Sequence, residues 1–184
     1  MANVLVPLAQ GCEELEAVTV VDLLRRAAIE VVTAGLDEQP VRASRGVVLL
    51  PDMTLEKALQ QEYDMIVLPG GLPGADNLGD DERIIERLRS MSATGKYTAA
   101  ICAAPKVLAK AGLLDGKRAT SYPGALKTDA IPGLDYRDAA VVMDGTVITS
   151  RGPGTAMDFA LSLIELLAGK HKRDEVEAGL QRSC

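Results

Sequence analysis

The stretch Tyr97-Thr-Ala-Ala-Ile-Cys-Ala-Ala-Pro105 is the strongest indication of fold in this chain of 184 residues. A short apolar run stops at Cys102, small residues follow it, and a helical pattern begins at Ala104. This order predicts a buried strand, a sharp turn and a helix whose N-terminus faces the thiol, which together form a nucleophile elbow. A helix N-terminus stabilises an anion, and a thiol attacks only as its thiolate. A buried structural cysteine is the alternative, since free cysteines are among the most buried residues.

Outward from the elbow, strand and helix signals alternate along the chain. We predict strands over residues 4–9, 30–34, 47–50, 64–68, 97–101, 118–121, 141–143 and 146–150, with a hairpin at Asp144-Gly145. We predict helices over residues 13–28, 55–59, 80–94, 104–111, 153–168 and 174–180. Continuous apolar strands alternating with helices indicate an α/β fold, with a parallel sheet covered by helices on both faces.

Composition restricts the function classes. The chain is 47% hydrophobic, with 17 Gly and 9 Pro, which suits one globular domain with a sizeable core. A net charge of −6 without a basic stripe argues against nucleic acid as a partner. The three cysteines are far apart and form no Cys-x-x-Cys pair, so neither a disulfide scaffold nor a metal site is predicted. Because neither a signal peptide nor a membrane-spanning stretch is recognisable, we expect a cytoplasmic protein without a membrane partner.

Three turns follow predicted strands, at residues 10–16, 69–75 and 102–105. Ligands in such folds bind beyond the carboxyl ends of the strands, so we expect these turns to meet in one cleft. The turn Pro69-Gly-Gly-Leu-Pro-Gly74 matches neither nucleotide-binding fingerprint, and no cofactor is predicted. A glycine turn near a nucleophile can instead supply backbone N–H groups to an oxyanion hole. A tight turn that needs positive φ is the alternative explanation of Gly70 and Gly71.

Several other residues have simpler explanations. The only histidine, His171, lies in a charged run after a predicted helix end, which indicates a surface or capping role. Cys12 begins the first helix and is either a secondary redox site or a plain surface residue, and Cys184 is terminal. Arg26 and Arg45 are candidates for an interface between subunits or for binding an anion near the cleft.

Four segments resemble signature segments of the ThiJ/PfpI family, and most closely its Parkinson disease protein 7 branch of deglycase and stress-response proteins. They are Gly11-Cys-Glu-Glu-Leu-Glu16, Leu68-Pro-Gly-Gly71, Ala100-Ile-Cys-Ala-Ala-Pro105 and Thr149-Ser-Arg-Gly-Pro-Gly-Thr155. The likeness runs from Val4 to residues 174–180 and keeps the segments in order. It implies a single domain of this type over residues 1–184, folded as a flavodoxin-like three-layer α/β sandwich. It also implies a homodimer with the first helix near the two-fold axis and Leu15 as a contact.

The same resemblance assigns the site. The nucleophile would be Cys102, its acidic partner Glu16, and the oxyanion hole the backbone of Gly71 and Ala103. A thiolate at Cys102 would raise the pKa of Glu16 and keep it protonated, so that it could donate a hydrogen bond to the sulfur or hold a sulfinate. Without the resemblance, the three glutamates at positions 13, 14 and 16 are equally well explained as an acidic first helical turn.

One difference from many relatives concerns histidine. Ala103 directly follows the cysteine, and Tyr122 in Thr120-Ser-Tyr-Pro123 stands where the Parkinson branch has His. We place Tyr122 and Gly70 as secondary residues of the pocket. Since a phenol is a poor base at neutral pH, proton transfer is assigned to Glu16 or water.

Three functional hypotheses follow. The first is a cofactor-independent enzyme of glyoxalase or deglycase type, in which Cys102 attacks methylglyoxal, glyoxal or an early glycation adduct and Glu16 shuttles the proton to yield a 2-hydroxy acid. The second is an oxidative-stress sensor in which Cys102 becomes a sulfinate. The third is a chaperone that uses exposed apolar surface. The first two use the same pair of residues and differ in whether substrate is turned over.

Overall fold

The central strands of the fold are mostly apolar and are buried at nearly every position. The structure is a computed structural model and describes residues 2–182. Its strands are β1 (Asn3–Leu8), β2 (Glu30–Gly35), β3 (Val41–Arg42), β4 (Val48–Leu49), β5 (Met53–Thr54), β6 (Met65–Leu68), β7 (Tyr97–Ile101), β8 (Arg118–Ala119), β9 (Asp135–Tyr136), β10 (Val141–Asp144) and β11 (Val147–Ser150). Its helices are α1 (Glu14–Arg26), α2 (Leu55–Ala58), α3 (Gly74–Asp80), α4 (Glu82–Ala93), α5 (Pro105–Lys110), α6 (Ala156–Ala168) and α7 (Lys170–Gly179).

Seven strands form the main sheet in the order β10-β11-β7-β6-β1-β2-β5. All neighbours pair in parallel except β10 and β11, which form an antiparallel hairpin that pairs Val141 with Ser150 and Asp144 with Val147. The predicted mostly parallel sheet and its hairpin at Asp144-Gly145 are therefore confirmed.

Helices cover both faces of the sheet, as predicted. The connection from β1 through α1 to β2 moves towards one edge, whereas the connection from β6 through α3 and α4 to β7 moves towards the other. Because such crossovers are right-handed, their helices lie on opposite faces. Helix α6 packs against α1 on one face, and α5 packs against α3 and α4 on the other. No helix within residues 2–182 is long and apolar enough to cross a membrane.

The structure differs from the predicted elements where the local signal is short. The predicted helix over 80–94 is α4, and the unpredicted α3 ends just before it, because Asp81 has an extended backbone and its side chain accepts a hydrogen bond from the Arg83 N–H at 3.0 Å. The predicted strand over 47–50 is β4, which pairs with the unpredicted β3 in a hairpin outside the main sheet. The last helix begins at Lys170, directly after Gly169, rather than at residue 174.

The topology brings the predicted turns together. Strands β1, β6 and β7 are neighbours in the sheet, and their carboxyl ends lead into residues 10–16, 69–75 and 102–105. The direction of chain connection reverses between β1 and β6, which is where open parallel sheets form a ligand crevice.

Candidate active site

Cys102 occupies the sharp turn between β7 and α5. Its φ is +64°, a left-handed conformation that few residues other than glycine adopt. Two hydrogen bonds hold it there: the Cys102 N–H donates to the Ser150 carbonyl at 3.0 Å, and its carbonyl accepts from the Tyr122 N–H at 2.8 Å. Such a conformation costs about 1–3 kcal/mol and persists only where neighbouring structure enforces it. The predicted elbow geometry is therefore present, although α5 has only six residues.

Glu16 lies beside this turn on α1 and is fully buried. Its Oε2 accepts a hydrogen bond from the Gly70 N–H at 2.8 Å. Its Oε1 has no conventional hydrogen-bond partner within residues 2–182, which leaves the Cys102 thiol as the group with which it can share a proton. The structure thus brings together the two residues predicted as nucleophile and acid.

Burial is the main cause of the unusual acidity of Glu16. It raises the pKa of Glu16 to about 7, against the lowering effect of the hydrogen bonds from Gly70 and Cys102, and repulsion from Glu13 adds to the rise. The expected protonated carboxyl therefore has a different origin from the one anticipated, since desolvation rather than a thiolate charge comes first.

The surroundings of Cys102 change the pKa of its thiol in both directions. Burial and the adjacent Glu16 carboxylate raise the pKa of Cys102 to about 12, whereas the N–H groups of Gly71 and Ala103 lower it. A protonated Glu16 would remove the repulsion and offer a hydrogen-bond donor to the sulfur. The two groups therefore titrate as a pair, in which a proton on the carboxyl favours the thiolate.

The glycine turn is required by close approach as well as by backbone conformation. A β-carbon at Gly70 would lie 2.6 Å from Cβ of Cys102 and 2.8 Å from Oε2 of Glu16. Gly71 has a φ of +86°, and a β-carbon there would lie 2.6 Å from the Gly11 carbonyl oxygen. The positive φ expected of a tight turn is found at Gly71 but not at Gly70, and only glycine at these positions lets the turn reach the thiol and carboxyl.

A cavity of about 530 Å³ opens onto the thiol, and 8% of the Cys102 surface is exposed. The wall includes the predicted residues Gly71, Ala103 and Tyr122. Glu13 and Leu72, also on the wall, belong to turns that the sequence predicts to meet in one cleft. Sequence reasoning missed the rest of the wall as parts of the site, because it comes from loops without periodicity. These residues are Ser44, Pro123, Gly124, Ala125 and Pro153.

Glu14 attaches the loop after β3 to the start of α1. Its carboxylate accepts hydrogen bonds from the Arg45 N–H at 2.9 Å, the Val47 N–H at 3.4 Å and the Ser44 hydroxyl at 3.1 Å. Burial opposes ionisation, but these donors and the N–H of Glu14 itself outweigh it and lower the pKa of Glu14. The loop in turn places Arg45 on the cavity wall. We call Glu14 and residues 44–47 the clamp.

The expectation that Cys12 is exposed is wrong. Cys12 is fully buried; its N–H donates to the Ala9 carbonyl, and its own carbonyl accepts from the Ser44 N–H of the loop after β3. Burial and the Glu14 carboxylate raise the pKa of the Cys12 thiol to about 12, so a thiolate is disfavoured.

Within residues 2–182, the remaining candidates do not line the cavity. Arg26 pairs with Asp22 at 2.8 Å on α1. His171 is exposed in the first turn of α7, which agrees with a surface role. Cys184 lies outside the described residues. Among residues 2–182, no group of three or more His, Cys, Asp or Glu side chains could hold a metal ion.

The amino-acid sequence is similar to those of known proteins over almost its whole length. Residues 2–166 match the DJ-1/PfpI family. The chain is 48% identical to Protein dj-1beta of Drosophila melanogaster, over 97% of this chain and 96% of that protein. It is 45% identical to the Parkinson disease protein 7 homolog of Danio rerio, over 96% and 95%. It is 35% identical to the glutathione-independent glyoxalase DJR-1.2 of Caenorhabditis elegans, over 95% and 92%.

Solved structures show the same architecture. The crystal structure of Drosophila melanogaster DJ-1beta superposes with a TM-score of 0.93 at 45% identity, covering 100% of this chain and 99% of that one. The structure of oxidized Toxoplasma gondii DJ-1 superposes with a TM-score of 0.92 at 38% identity, covering 100% of both chains. The predicted fold class is confirmed.

Proposed function

This chain belongs to the DJ-1/PfpI family, and on that premise we propose that it is a cofactor-independent enzyme converting α-oxoaldehydes such as methylglyoxal and glyoxal into 2-hydroxy acids. The observation that carries the proposal is the pairing of Cys102 with a buried Glu16 whose pKa is raised to about 7. A carboxyl group with a pKa near the working pH can both donate and accept a proton within one turnover. A relative at 35% identity, from Caenorhabditis elegans, bears the name glutathione-independent glyoxalase.

The first step uses Cys102 as nucleophile and Glu16 as acid. The thiolate sulfur bonds to the aldehyde carbon, the carbonyl π bond breaks, and the oxygen takes a proton from Glu16 to give a hemithioacetal. The N–H groups of Gly71 and Ala103, which already act on the sulfur, would stabilise the developing oxyanion.

The second step is an internal redox exchange. The Glu16 carboxylate removes the proton from the former aldehyde carbon and delivers a proton to the neighbouring carbon, while the hydroxyl proton passes between the two oxygens. The aldehyde carbon is oxidised by two electrons and the ketone carbon is reduced by two, so no external oxidant is needed. Water then hydrolyses the resulting thioester, which releases the 2-hydroxy acid and returns the Cys102 thiol.

The test is methylglyoxal consumption with lactate detection in the wild type and two alanine variants. Wild type should produce lactate, and Cys102→Ala should lose about a thousandfold or more of the turnover, because it removes the only nucleophile of the scheme. Cys12→Ala is the matched control, since that thiol is fully buried and does not line the cavity, and it should retain activity. Absence of lactate from folded wild type, or undiminished lactate from Cys102→Ala, would overturn the proposal.

A second candidate function is oxidation sensing at the same thiol. A related structure is that of an oxidized DJ-1, from Toxoplasma gondii. Two peroxide molecules would convert the Cys102 thiolate to a sulfinate and release two waters, and a protonated Glu16 could hold one sulfinate oxygen. Gain of two oxygen atoms at Cys102 by intact mass, without lactate formation, would favour this function over the enzyme.

We also propose that the protein is a homodimer formed through α1 and the β3–β4 hairpin. Leu15 and Val18 on α1 are about half exposed, as are Val47 and Val48, and Leu50 is more exposed still. Exposed apolar side chains gathered on neighbouring elements are typical of a subunit interface. Light scattering should give twice the monomer mass for wild type and a lower mass for Leu15→Arg; a monomeric wild type would contradict the proposal.

A further inference from the structure

Two apolar side chains stand exposed at the cavity that contains Cys102. Leu72 is 60% exposed and Tyr122 is 53% exposed, and both line its wall. A ligand that covers large exposed apolar side chains removes their surface from water, which favours binding. Pro123 and Ala125 extend the same apolar wall.

The cavity is large for the smallest α-oxoaldehydes. Methylglyoxal has five non-hydrogen atoms and occupies on the order of 100 Å³, judged from about 30 Å³ for one water molecule. The cavity measures about 530 Å³. Binding sites commonly enclose most of their ligand, so methylglyoxal would leave the apolar wall largely uncovered.

The position of Tyr122 relative to the thiol is set by its backbone. Its N–H donates to the Cys102 carbonyl at 2.8 Å, and its own carbonyl accepts from the Ala125 N–H at 2.9 Å. One side of its ring rests on Gly152, where a β-carbon would lie 3.3 Å from the ring atom Cδ2. The ring is therefore held against Gly152 on the wall of the cavity that contains the thiol.

We infer that the site prefers α-oxoaldehydes with an aromatic substituent, and that Tyr122 and Leu72 are its specificity-determining residues. The inference rests on the proposed α-oxoaldehyde activity. The dicarbonyl end reacts at Cys102, while the aromatic ring stacks on Tyr122 and covers Leu72. Stacked or edge-to-face aromatic pairs contribute beyond the area that they bury, and this contribution is absent for methylglyoxal.

The experiment compares phenylglyoxal, which would yield mandelate, with methylglyoxal. Intrinsic reactivity differs between the two aldehydes, so the informative quantity is how their kcat/KM ratio changes between variants. Tyr122→Ala and Leu72→Ala should each lower the phenylglyoxal-to-methylglyoxal ratio about fivefold or more. Tyr122→Phe should keep the ratio, since it retains the ring. Both residues are exposed, so these variants should fold.

Two further variants make the comparison sharper. Gly152→Ala leaves both apolar side chains in place but pushes the Tyr122 ring by a few tenths of an ångström, so it should also lower the ratio. Met143→Ala removes a similarly exposed apolar side chain that is not on the cavity wall, and the ratio should not change.

A binding measurement separates this inference from the proposed activity. Mandelate should protect Cys102 from alkylation by iodoacetamide more strongly than lactate does, and Tyr122→Ala should abolish the difference. If neither aldehyde is turned over but this protection is seen, the proposed function fails and the aromatic preference stands. A ratio that does not change in Tyr122→Ala and Leu72→Ala, together with equal protection by both acids, would overturn the inference.

Discussion

Glu14 and Glu16 are buried carboxyl groups from the same turn of α1, yet their acidities change in opposite directions. Glu14 accepts hydrogen bonds from two backbone N–H groups and one hydroxyl of the loop at residues 44–47, and its pKa is lowered. Glu16 accepts one backbone hydrogen bond, from the Gly70 N–H, and its pKa is raised to about 7. Residues two apart on a helix point to different sides, so each meets a different environment.

The difference follows from depth of burial and number of donors together: Glu16 is the more deeply buried of the two and has fewer donors to offset the loss of water. Desolvation opposes ionisation at both positions, but only Glu14 has enough donors to overcome it. The charged group holds a loop in place, which is a structural role. Glu16, with a pKa of about 7, can hold and release a proton near neutral pH, which is a chemical role.

The largest expected effect is on turnover. Glu16→Gln should lower kcat about a hundredfold to ten-thousandfold, because an amide can take the hydrogen bond of Gly70 but cannot move a proton. Glu14→Gln should change kcat/KM by no more than about tenfold, through displacement of Arg45 on the cavity wall. Steady-state kinetics on an α-oxoaldehyde measures both effects. Equal losses of kcat in the two variants would contradict the assignment of a chemical role to Glu16 and a structural role to Glu14.

The next effect is on the free energy of unfolding. Relative to wild type, it should change with pH in opposite directions in Glu16→Gln and Glu14→Gln. Glu16 titrates near 7 in the folded protein and near 4.5 when unfolded, so the folded state binds more protons between these values. The free energy of unfolding of wild type therefore falls as pH rises through this window, by about 3 kcal/mol in all. Glu16→Gln does not titrate, so its stability relative to wild type should rise from pH 4.5 to pH 8.

Glu14 behaves in the reverse way. Its folded-state pKa is lowered, so its contribution to stability is present above 4.5 and is lost as pH falls through the folded value. Glu14→Gln should therefore be less stable than wild type at pH 7, and the difference should shrink in acid. Urea unfolding across the pH range tests both variants. A Glu16→Gln protein whose stability relative to wild type does not depend on pH would show that Glu16 is ionised in the folded state.

The elements around the active site show which features the sequence predicts and which it does not. The strand over 97–101 was predicted with the bounds that β7 has, because a continuous apolar run next to small residues leaves few alternatives. The resemblance pointed to Glu16, and the topology places it beside Cys102. Nothing in the local pattern separates Glu14 from Glu16, since both fit an acidic first helical turn.

What the sequence could not indicate is the set of long-range donors. The clamp depends on β3 and β4, whose strands have two residues each and therefore no measurable periodicity. For the same reason Cys12 was expected at the surface, although the Ser44 N–H reaches across to its carbonyl at 2.8 Å. Burial produced by short distant segments is a property of the folded chain rather than of any local window.

The smallest expected effect isolates one donor of the clamp. The Ser44 hydroxyl lies 2.7 Å from a Glu13 oxygen and 3.1 Å from a Glu14 oxygen, and its single proton can be donated fully to only one of them. Ser44→Ala should lower the free energy of unfolding by about 1 kcal/mol, because the two N–H donors on Glu14 remain.

Thermal unfolding should show this loss as a decrease of about 2–4 °C in Tm for a chain of this size. Ser162→Ala is the matched control, since that hydroxyl only bonds the Asp158 carbonyl one turn earlier in α6, and alanine favours the helix. If Ser44→Ala left Tm unchanged, or if Ser162→Ala lowered it equally, the hydroxyl would not contribute to the clamp. The backbone donors of Arg45 and Val47 would then be sufficient to keep Glu14 charged, and the contrast with Glu16 would rest on N–H groups alone.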